Sequence, residues 1–272
     1  MIGENRRPVA AITGASSGLG KVYAKKLAEE GCDLLLIARH MEKLDEVACE
    51  IRMKFGVEVE TISADLSIIA DIERVEKRIE SLSTLNFMIN SAGFGGNQKF
   101  PNVFIDVETR MILTHCLATM RLCRAALVPM VAKGLTRGAG AIINVSSVSG
   151  FLSGRGSADY TATKAYLITF SRSLQCDVKG VGVRVQVLCP GFTRTGFHDT
   201  ETMRFSDLKR TVPNFLWQHP EQVVETSLKS IRRKFRPNVV CIPTVIYKVV
   251  GYIGASWIFA PLRLLLSGGN VR

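Results

Sequence analysis

Several kinds of site are missing from this 272-residue sequence. Its seven cysteines are an odd number, and none of them lies in a C-x-x-C pair or a Cys/His cluster. Residues 1–8 contain no apolar segment of the kind that directs secretion. We therefore expect a protein of the reducing cytoplasm, without a metal site, in which the cysteines are small core residues.

Nucleic-acid-binding motifs are missing as well, although a net charge of +11 favours an anionic partner. Without such a motif, we expect no nucleic-acid partner. The densest basic cluster lies at the end of a predicted helix and consists of Lys229, Arg232, Arg233, Lys234 and Arg236. A solvated helix end, favoured by the helix dipole, is the simpler interpretation. A docking patch for a phosphate-bearing substrate, an acidic carrier protein or a membrane surface is the alternative.

The sequence has no uncharged apolar run of the roughly 20 residues that a membrane-spanning helix needs. The most apolar stretch, 249–262, is flanked by Lys248 and Arg263. We treat residues 243–266 as an apolar C-terminal extension, for which packing against the core or a partner subunit is the favoured interpretation. A cover over an apolar substrate and an interfacial membrane anchor remain open.

Short β-branched or apolar segments alternate with longer helical patterns along almost the whole chain. The predicted strands are 9–13, 33–37, 57–63, 86–90, 141–146, 183–188 and 239–242. The predicted helices include 17–30, 41–55, 68–82, 104–133, 158–179 and 220–235. This alternation predicts a parallel sheet covered on both faces. Because we find no linker or repeat, we predict a single α/β domain over 1–272, of the Rossmann-type doubly wound class, with seven mostly parallel strands.

A glycine-rich turn, TGASSGLG at residues 13–20, follows the first predicted strand and leads into a predicted helix. Glycines at such a turn let backbone N–H groups approach a pyrophosphate at the positive end of the helix. The spacing is G-x-x-x-G-x-G, a variant of the usual dinucleotide motif. The residues expected to contact the cofactor here are Gly14, Ser16, Ser17, Gly18, Leu19 and Gly20.

The second predicted strand lacks the acid that would hold a ribose 2′-hydroxyl at its end. It ends instead in Ala38, Arg39 and His40, and Asp33 stands at its beginning, at the wrong edge of the sheet. Since Arg39 can accept a 2′-phosphate, we infer NADP(H) rather than NAD(H) as the preferred cofactor. The alternative is that Arg39 merely starts a solvated helix.

Tyr160 and Lys164 stand four residues apart on a predicted helix, and Ser147 lies thirteen residues upstream of the tyrosine. Side chains at this spacing share one face, so a lysine charge can favour the phenolate of a tyrosine whose pKa is ordinarily about 10. A tyrosine so placed can act as an acid or base. Taken alone, the pair has a non-catalytic alternative, in which the aliphatic part of the lysine side chain packs over the aromatic ring.

In this order, the glycine turn, Ser147, Tyr160 and Lys164 resemble the short-chain dehydrogenase/reductase family over nearly the whole chain. Residues 13–20 match its T-G-x-x-x-G-x-G, residues 160–164 its Y-x-x-x-K, and residues 190–195 its P-G stretch after strand six. Residues 90–93 match its N-N-A-G with the second asparagine replaced by serine. Within the family, the nearest similarity is to keto, 3-oxoacyl and 17β-hydroxysteroid reductases.

The resemblance implies further cofactor contacts. Asp65 would lie beside the adenine, and Thr195 with the backbone near Pro190 and Thr193 would orient the carboxamide. The other contacts implied are Leu66, Asn90, Ala92, Gly93 and Gly191.

The resemblance also implies a mechanism of reversible hydride transfer between a nicotinamide and a carbonyl or alcohol carbon. Tyr160 would donate the proton in the reductive direction, while Lys164 would stabilise its phenolate and hold the nicotinamide ribose. Ser147 would bond the substrate oxygen; the neighbouring Ser146 is a poorer candidate, because the family's serine stands thirteen residues before its tyrosine.

One position departs from the family pattern. The family often places an asparagine in the long helix after strand four, where it holds a water of a proton relay. Aligning the helix end at 127–130 puts His115 at or next to this place. We therefore count His115 among the candidate catalytic residues, as a holder of water or a proton carrier, with a packed histidine as the equal alternative.

The expected function is NADPH-dependent reduction of a small hydrophobic ketone or 3-oxoacyl compound to an alcohol. Three segments, 93–103, 149–157 and 192–218, would shape the substrate pocket and contain Phe94, Phe151, Leu152, Phe192, Phe197, Phe205, Phe215 and Trp217. The alternative is a catalytically silent NADPH-binding sensor or scaffold. The resemblance also implies a homodimer or homotetramer, and contact with a membrane surface or an acyl carrier remains open.

Overall fold

The structure is a computed structural model and describes residues 7–96, 98–132, 140–153, 156, 158–199, 212–233 and 239–255. Seven strands form one parallel sheet in the order β3-β2-β1-β4-β5-β6-β7. Their bounds are β1 Val9–Thr13, β2 Asp33–Ala38, β3 Val59–Ser63, β4 Leu85–Asn90, β5 Gly140–Val145, β6 Val183–Leu188 and β7 Val240–Cys241. The strand order reverses between β1 and β4, which places a crevice at their carboxyl ends. The predicted doubly wound Rossmann-type fold is confirmed.

The described helices alternate with these strands. Their bounds are α1 Gly18–Glu29, α2 Met41–Phe55, α3 Ile69–Glu80, α4 Ile105–Ile112, α5 Thr119–Ala132, α6 Ala158–Asp177, α7 Pro220–Ile231 and α8 Val245–Ala255. A π-helical segment, Leu113–Ala118, joins α4 to α5 without a break. The helix predicted over 104–133 is therefore continuous but changes its winding in the middle, a feature that often marks a functional site.

The sheet is buried on both faces, as its continuous apolar strands require. Helices α1, α2 and α7 cover one face and α3, α5 and α6 the other, each over a cluster of fully buried side chains. Among the described residues, the stretch from Ile105 to Ala132 is the one helix long and apolar enough to cross a membrane. This stretch packs against β4 and α3, so packing in the core accounts for its many apolar residues.

Some predicted boundaries shift. Gly56 ends α2 in the left-handed conformation, and β3 begins at Val59 rather than at 57. Helix α7 ends at Ile231, short of the predicted 235; of the basic cluster behind it, Lys234 and Arg236 lie outside the described residues. The predicted apolar extension 243–266 is helical over Val245–Ala255, and its remainder lies outside the described residues.

Candidate active site

A cleft of about 710 Å³ runs along the carboxyl ends of the strands. One end is bounded by Arg39 and Asp65, the middle by the β1–α1 turn, and the other end by Tyr160 and helix α8. It is lined by these predicted site residues: Gly14, Ser16, Ser17, Gly18, Leu19, Arg39, Asp65, Leu66, Ala92, Gly93, Ser147, Tyr160, Lys164, Pro190, Gly191, Thr193 and Thr195. Three predicted residues, Gly20, Asn90 and His115, are not part of its wall.

The β1–α1 turn leaves room for a ligand only because it is built from glycine. Gly14 and Gly18 have φ values of 65° and 52°, which favour glycine. A Cβ on Gly14 would also lie 2.9 Å from the carbonyl oxygen of Ser91. Gly20 packs closely against this turn, because a Cβ there would collide with the Gly14 carbonyl oxygen. Its role as a cofactor contact stays a prediction.

The N-terminus of α1 points its backbone donors at the cleft. The helix begins at Gly18, and the side chain of Ser17, its N-cap residue, makes no capping hydrogen bond. No acidic residue lies in the first turn. The first N–H groups and the positive end of the helix dipole are therefore available to an anion, which fits the pyrophosphate of a dinucleotide.

Hydrogen bonds hold Asp65 in a fixed orientation at the far end of the cleft. Its Oδ1 accepts bonds from the backbone N–H of Ser67 at 2.9 Å and from the Ser67 hydroxyl at 2.6 Å, and its Oδ2 accepts one from Arg110 at 3.1 Å. Partial burial raises the pKa of Asp65, but the Ser67 bonds and the Arg110 and Arg39 charges outweigh it and hold the pKa below its usual value.

Arg39 is exposed at the same end of the cleft, directly after β2. Its backbone carbonyl accepts a hydrogen bond from the Ser63 hydroxyl at 3.0 Å, which fixes the main chain. Among the described residues, none bonds the guanidinium of Arg39. Asp33 begins β2 at the opposite edge of the sheet, where it accepts the N–H of Glu58 at 2.9 Å. No carboxylate of β2 therefore reaches the place of a ribose 2′-substituent.

Asn90 stabilises the cleft from behind. Its Nδ2 donates to Oδ1 of Asn144 at 2.8 Å, and Asn144 in turn donates to the Ser171 hydroxyl at 3.0 Å. This buried amide ladder joins β4, β5 and α6, so Asn90 positions the strand ends. Its role as a cofactor contact stays a prediction.

Thr13 is a site residue that the sequence analysis missed. Its buried hydroxyl accepts the backbone N–H groups of Ser91 at 3.0 Å and Ala92 at 3.1 Å. These bonds fix the turn after β4 against the glycine turn after β1. Thr13 is the first residue of the TGASSGLG motif, and this place in the motif is the sequence signal that could have identified it.

Ser147, Tyr160 and Lys164 meet at the substrate end of the cleft. Ser147 follows β5, and its Oγ accepts the backbone N–H of Ser149 at 3.2 Å. Lys164 is buried, donates from Nζ to the Val145 carbonyl at 3.1 Å and lies 5.5 Å from the centre of the Tyr160 ring. The neighbouring Ser146 gives its hydroxyl to the Lys164 carbonyl at 2.7 Å, which leaves Ser147 as the serine open to a ligand.

The pKa of Tyr160 differs from the expectation. Burial raises this pKa to about 12, although a hydrogen bond with Ser147 lowers it in part. Burial also lowers the pKa of Lys164 to about 8. The net shift of the Tyr160 pKa is upward, opposite to the expected lowering, because desolvation of the phenolate outweighs the hydrogen bonds with Ser147 and Ser149. The phenol is instead held protonated at neutral pH.

His115 lies behind the cleft with both ring nitrogens engaged. Its Nε2 accepts the backbone N–H of Phe94 at 3.1 Å, and its Nδ1 is 2.9 Å from the Thr163 hydroxyl. That hydroxyl donates to the Tyr160 carbonyl at 2.9 Å, so Nδ1 must be the protonated nitrogen. Burial, helped by the Lys164 charge, lowers the pKa of His115 well below its usual value.

These contacts favour the interpretation of His115 as a packed, neutral residue over a proton carrier. It sits in the π-helical segment and joins the loop after β4 to the helix of Tyr160. Gly93 makes room for it, since a Cβ there would lie 2.7 Å from Nε2. The His115 side chain therefore holds the Tyr160 end of α6 in place through its bond with Thr163.

Helix α8 supplies a second group that the sequence analysis missed. Tyr247 is buried, and its hydroxyl donates to the Leu216 carbonyl at 2.8 Å and accepts the Phe192 N–H at 3.2 Å. Gln218 accepts the Gly191 N–H at 3.0 Å. Together they fix the loop after β6. Since Tyr247, Ile246 and Val250 line the cleft, the apolar extension covers its substrate end.

The apolar residues predicted for the substrate pocket divide into two groups. Those that line the cleft are Phe94, Leu152, Phe192 and Phe197. Phe151, Phe215 and Trp217 are not part of its wall, and Phe205 lies outside the described residues. Trp217 packs against Phe192, with ring centres 5.5 Å apart, so it supports the wall from outside.

Comparisons with known proteins agree with this geometry. The sequence profile of the short chain dehydrogenase family matches residues 8–204. The chain belongs to the short-chain dehydrogenase family. A very-long-chain 3-oxoacyl-CoA reductase from Bos taurus is 30% identical over 269 residues, which cover 97% of this chain and 80% of that protein.

Two solved structures of short-chain dehydrogenases have a similar fold. The Sphingobium yanoikuyae enzyme in complex with NADPH is 30% identical, covers 97% of both chains and has a TM-score of 0.80. The bulky-bulky ketone specific alcohol dehydrogenase from Comamonas testosteroni is 27% identical, covers 97% of this chain and 96% of that chain, and has a TM-score of 0.77. The protein is therefore an oxidoreductase of a family that binds nicotinamide cofactors.

Proposed function

We propose that this short-chain dehydrogenase reversibly reduces a hydrophobic ketone or 3-oxoacyl compound to the alcohol, with NADPH as the preferred cofactor. The observation that carries the proposal is the meeting of Ser147, Tyr160 and Lys164 at one end of a continuous cleft whose other end holds Arg39. Two of the three relatives compared support this class of substrate, because one is a 3-oxoacyl-CoA reductase and another a ketone-specific dehydrogenase.

A nicotinamide held at the Tyr160 end of the cleft, beside the loop after β6, would supply the hydride to the carbonyl carbon. Tyr160 donates its phenolic proton to the carbonyl oxygen as negative charge develops there. Its pKa of about 12 keeps the phenol protonated and suited to this step. In the reverse direction the phenolate accepts the proton of the alcohol.

Ser147 holds the reacting oxygen. Its Oγ already accepts the N–H of Ser149, so its own proton is directed to another acceptor. A hydroxyl that donates to the substrate oxygen strengthens its bond as charge develops, which favours the transition state over the ground state. Lys164, buried beside the ring of Tyr160, stabilises the phenolate that remains after proton transfer and holds the nicotinamide ribose.

The preference for NADPH rests on Arg39. A 2′-phosphate carries negative charge that a guanidinium pairs with through two hydrogen bonds. Arg110 lies at the same end of the cleft, although it is already paired with Asp65. With Asp33 at the opposite edge of the sheet, no carboxylate of β2 repels a phosphate or selects a free 2′-hydroxyl.

Two copies would pair through the long helices. The outer side of α5 exposes Met120, Val128 and Val131, and α6 exposes Tyr166. Exposed apolar side chains on helices of this length are typical of an interface between subunits. We therefore propose a homodimer or homotetramer in the cytoplasm.

The exposed apolar side of α8, with Val245, Val249 and Tyr252, is compatible with peripheral membrane contact.

A panel of hydrophobic ketones and 3-oxoacyl thioesters, each tested with NADPH and with NADH, tests the proposal. Oxidation of the reduced cofactor is followed by its own absorbance. We expect turnover with NADPH and a lower kcat/KM with NADH. Binding of NADPH without turnover of any compound would favour the silent sensor or scaffold instead.

A further inference from the structure

Two carboxyl groups lie together where α4 packs against the beginning of α6. Glu108 of α4 is only 9% exposed, and Asp159 is the residue directly before Tyr160. Both line a small cavity of about 10 Å³, whose wall also includes Tyr160. Neither carboxyl is part of the wall of the cleft in which the reaction is proposed to occur. Because glutamate is rarely buried unless it is paired, this arrangement needs a physical reason.

One oxygen of Asp159 has no donor within the part of the chain that the structure describes. Its Oδ2 is buried and accepts no bond from an N–H or hydroxyl group there. The ion pairs of the described residues do not include Glu108 or Asp159. A buried acceptor without a donor costs free energy. A proton on Glu108 supplies a donor, since a protonated carboxyl group carries one O–H.

The surroundings of Glu108 favour its protonated form. Burial raises the pKa of Glu108, and the charge of Asp159 and a hydrogen bond with Asp159 raise it further. Besides the two carboxyls, Tyr160 is the one titratable group among the described residues of the cavity wall, and its phenol is neutral. The other wall residues carry no charge and are Gly96, Gln98, Phe100, Val103, Gly156 and Ala158. The described wall therefore has no cation that would hold both carboxyls ionised.

Glu108 connects α4 with two parts of the active site. Its Oε1 would lie 3.5 Å from a Cβ on Gly96, so the carboxyl packs against the loop after β4 that lines the cleft. Its backbone N–H is bonded to the Phe104 carbonyl at 3.3 Å, which fixes it at the beginning of α4. Asp159 lies in the first turn of α6. A hydrogen bond between the two carboxyls therefore joins the first turn of α6 to α4 and to the cleft loop.

We propose that Glu108 is a positioning residue, which donates a hydrogen bond to Asp159 and so holds the first turn of α6 where the Tyr160 hydroxyl meets the substrate carbonyl. This inference rests on the proposed function and adds a residue to its site. Ionisation of Glu108 would replace the bond with repulsion between two carboxylates. Since the pKa of Glu108 is raised, the bond is fully present below its ordinary value of 4.5 and is lost as the pH rises through the raised value.

Three variants test the positioning role. Glu108→Ala should lose about 10- to 100-fold in kcat with the best ketone of the panel, as expected for a small misplacement of the proton donor, while NADPH affinity changes less than about threefold. Glu108→Gln should keep kcat within about threefold at the acidic end of the pH range, because its amide N–H donates in place of the carboxyl proton. Asp106→Ala changes an exposed carboxylate of the same helix and is the matched control.

The ratio of kcat between the unaltered protein and Glu108→Gln gives the sharper test. It is measured from pH 4.5, the ordinary value for glutamate, to about 8, the pKa of Lys164. The two proteins share the titrations of Tyr160 and Lys164, so these cancel in the ratio. Because an amide does not ionise in this range, the ratio should fall by at least about threefold as the pH rises.

A ratio that stays constant with pH would overturn the inference and leave the proposed function intact. So would a folded Glu108→Ala protein with the kcat of the control, or a loss in Glu108→Gln as large as that in Glu108→Ala. If circular dichroism shows that Glu108→Ala does not fold, the pH profile of Glu108→Gln decides alone. Absence of turnover by the unaltered protein with every ketone and thioester would instead contradict the proposed function and the inference with it.

Discussion

The ring of Tyr247 lies directly against the α-carbon of Gly191, where any side chain would collide with it. Gly191 belongs to the loop after β6 that would hold the nicotinamide carboxamide, while Tyr247 belongs to α8, in the apolar C-terminal region. This contact makes α8 part of the wall of the cleft. It also gives the glycine of the family's P-G stretch a physical reason in this chain, since only a residue without a Cβ leaves room for the ring.

Replacing Tyr247 by Phe tests this contact. The variant keeps the ring but leaves the Phe192 N–H and the Leu216 carbonyl without their partner. We expect the free energy of unfolding to fall by about 1–2 kcal/mol and kcat to fall more than NADPH affinity. The control is Tyr252→Phe, because Tyr252 is on the same helix and is 79% exposed. Identical behaviour of the two variants in urea unfolding and kinetics would contradict a positioning role.

Gly93 and His115 should be energetically coupled. A methyl group at Gly93 would lie 2.7 Å from Nε2 of His115, so Gly93→Ala should destabilise the protein by about 1–3 kcal/mol. The same change in a His115→Ala background should cost less than about 0.5 kcal/mol, because the ring is gone. Urea unfolding of the four proteins measures the coupling. Additive costs would show that the ring does not set the requirement for glycine.

Lys164 should lower the stability of the protein at neutral pH. Burial moves its pKa from 10.5 to about 8, a shift that costs on the order of 3 kcal/mol at about 1.36 kcal/mol per unit. The folded state therefore binds the proton more weakly than the unfolded chain, and the cost is fully present below pH 8. It disappears as the pH rises from 8 to about 10.5.

We accordingly expect Lys164→Met to be inactive but more stable than the unaltered protein at pH 7. Its advantage in the free energy of unfolding should shrink between pH 8 and 10.5. Lys248→Met, which changes an exposed lysine of α8, is the matched control and should show no such dependence on pH. A stability advantage that is constant across this range would mean that the pKa of Lys164 is not lowered by burial.

Arg39 should determine the preference between the two cofactors. Arg39→Ala removes a charge-assisted contact with a 2′-phosphate, so the KM for NADPH should rise about 10- to 100-fold. The KM for NADH should change less than about threefold. Arg78→Ala is the control, because Arg78 is paired with Glu60 on the surface, away from the cleft. Equal changes for both cofactors would remove the basis for a 2′-phosphate contact.

Much of the fold could be predicted because the strands are buried on both faces and are read directly as short apolar segments between helices. The π-helical segment within the predicted helix 104–133 could not be predicted, because the spacing of apolar residues is similar before and after it. The start of β3 also escaped prediction, because Val57 and Val59 have the same β-propensity and only the neighbouring Gly56 ends the preceding helix.

The predicted site residues that line the cleft belong to short motifs whose spacing fixes their place in this fold. Thr13, Gln218 and Tyr247 were missed because their partners are distant in the sequence, as in the bond between Tyr247 and Phe192. The direction of the Tyr160 pKa was wrong for a related reason. The spacing of four residues indicates the nearby lysine but says nothing of the burial that raises the pKa of Tyr160.

The central claim is that Tyr160 gives and takes the proton of the reaction. Tyr160→Phe keeps the ring, and Tyr166→Phe, on the same helix but 39% exposed, is its matched control. We would measure kcat for reduction of the best substrate, with NADPH affinity measured separately. The account predicts a loss of about 10²- to 10⁴-fold in kcat for Tyr160→Phe, with NADPH binding intact and Tyr166→Phe nearly unaffected. Turnover by a folded Tyr160→Phe protein at the rate of the control would contradict it.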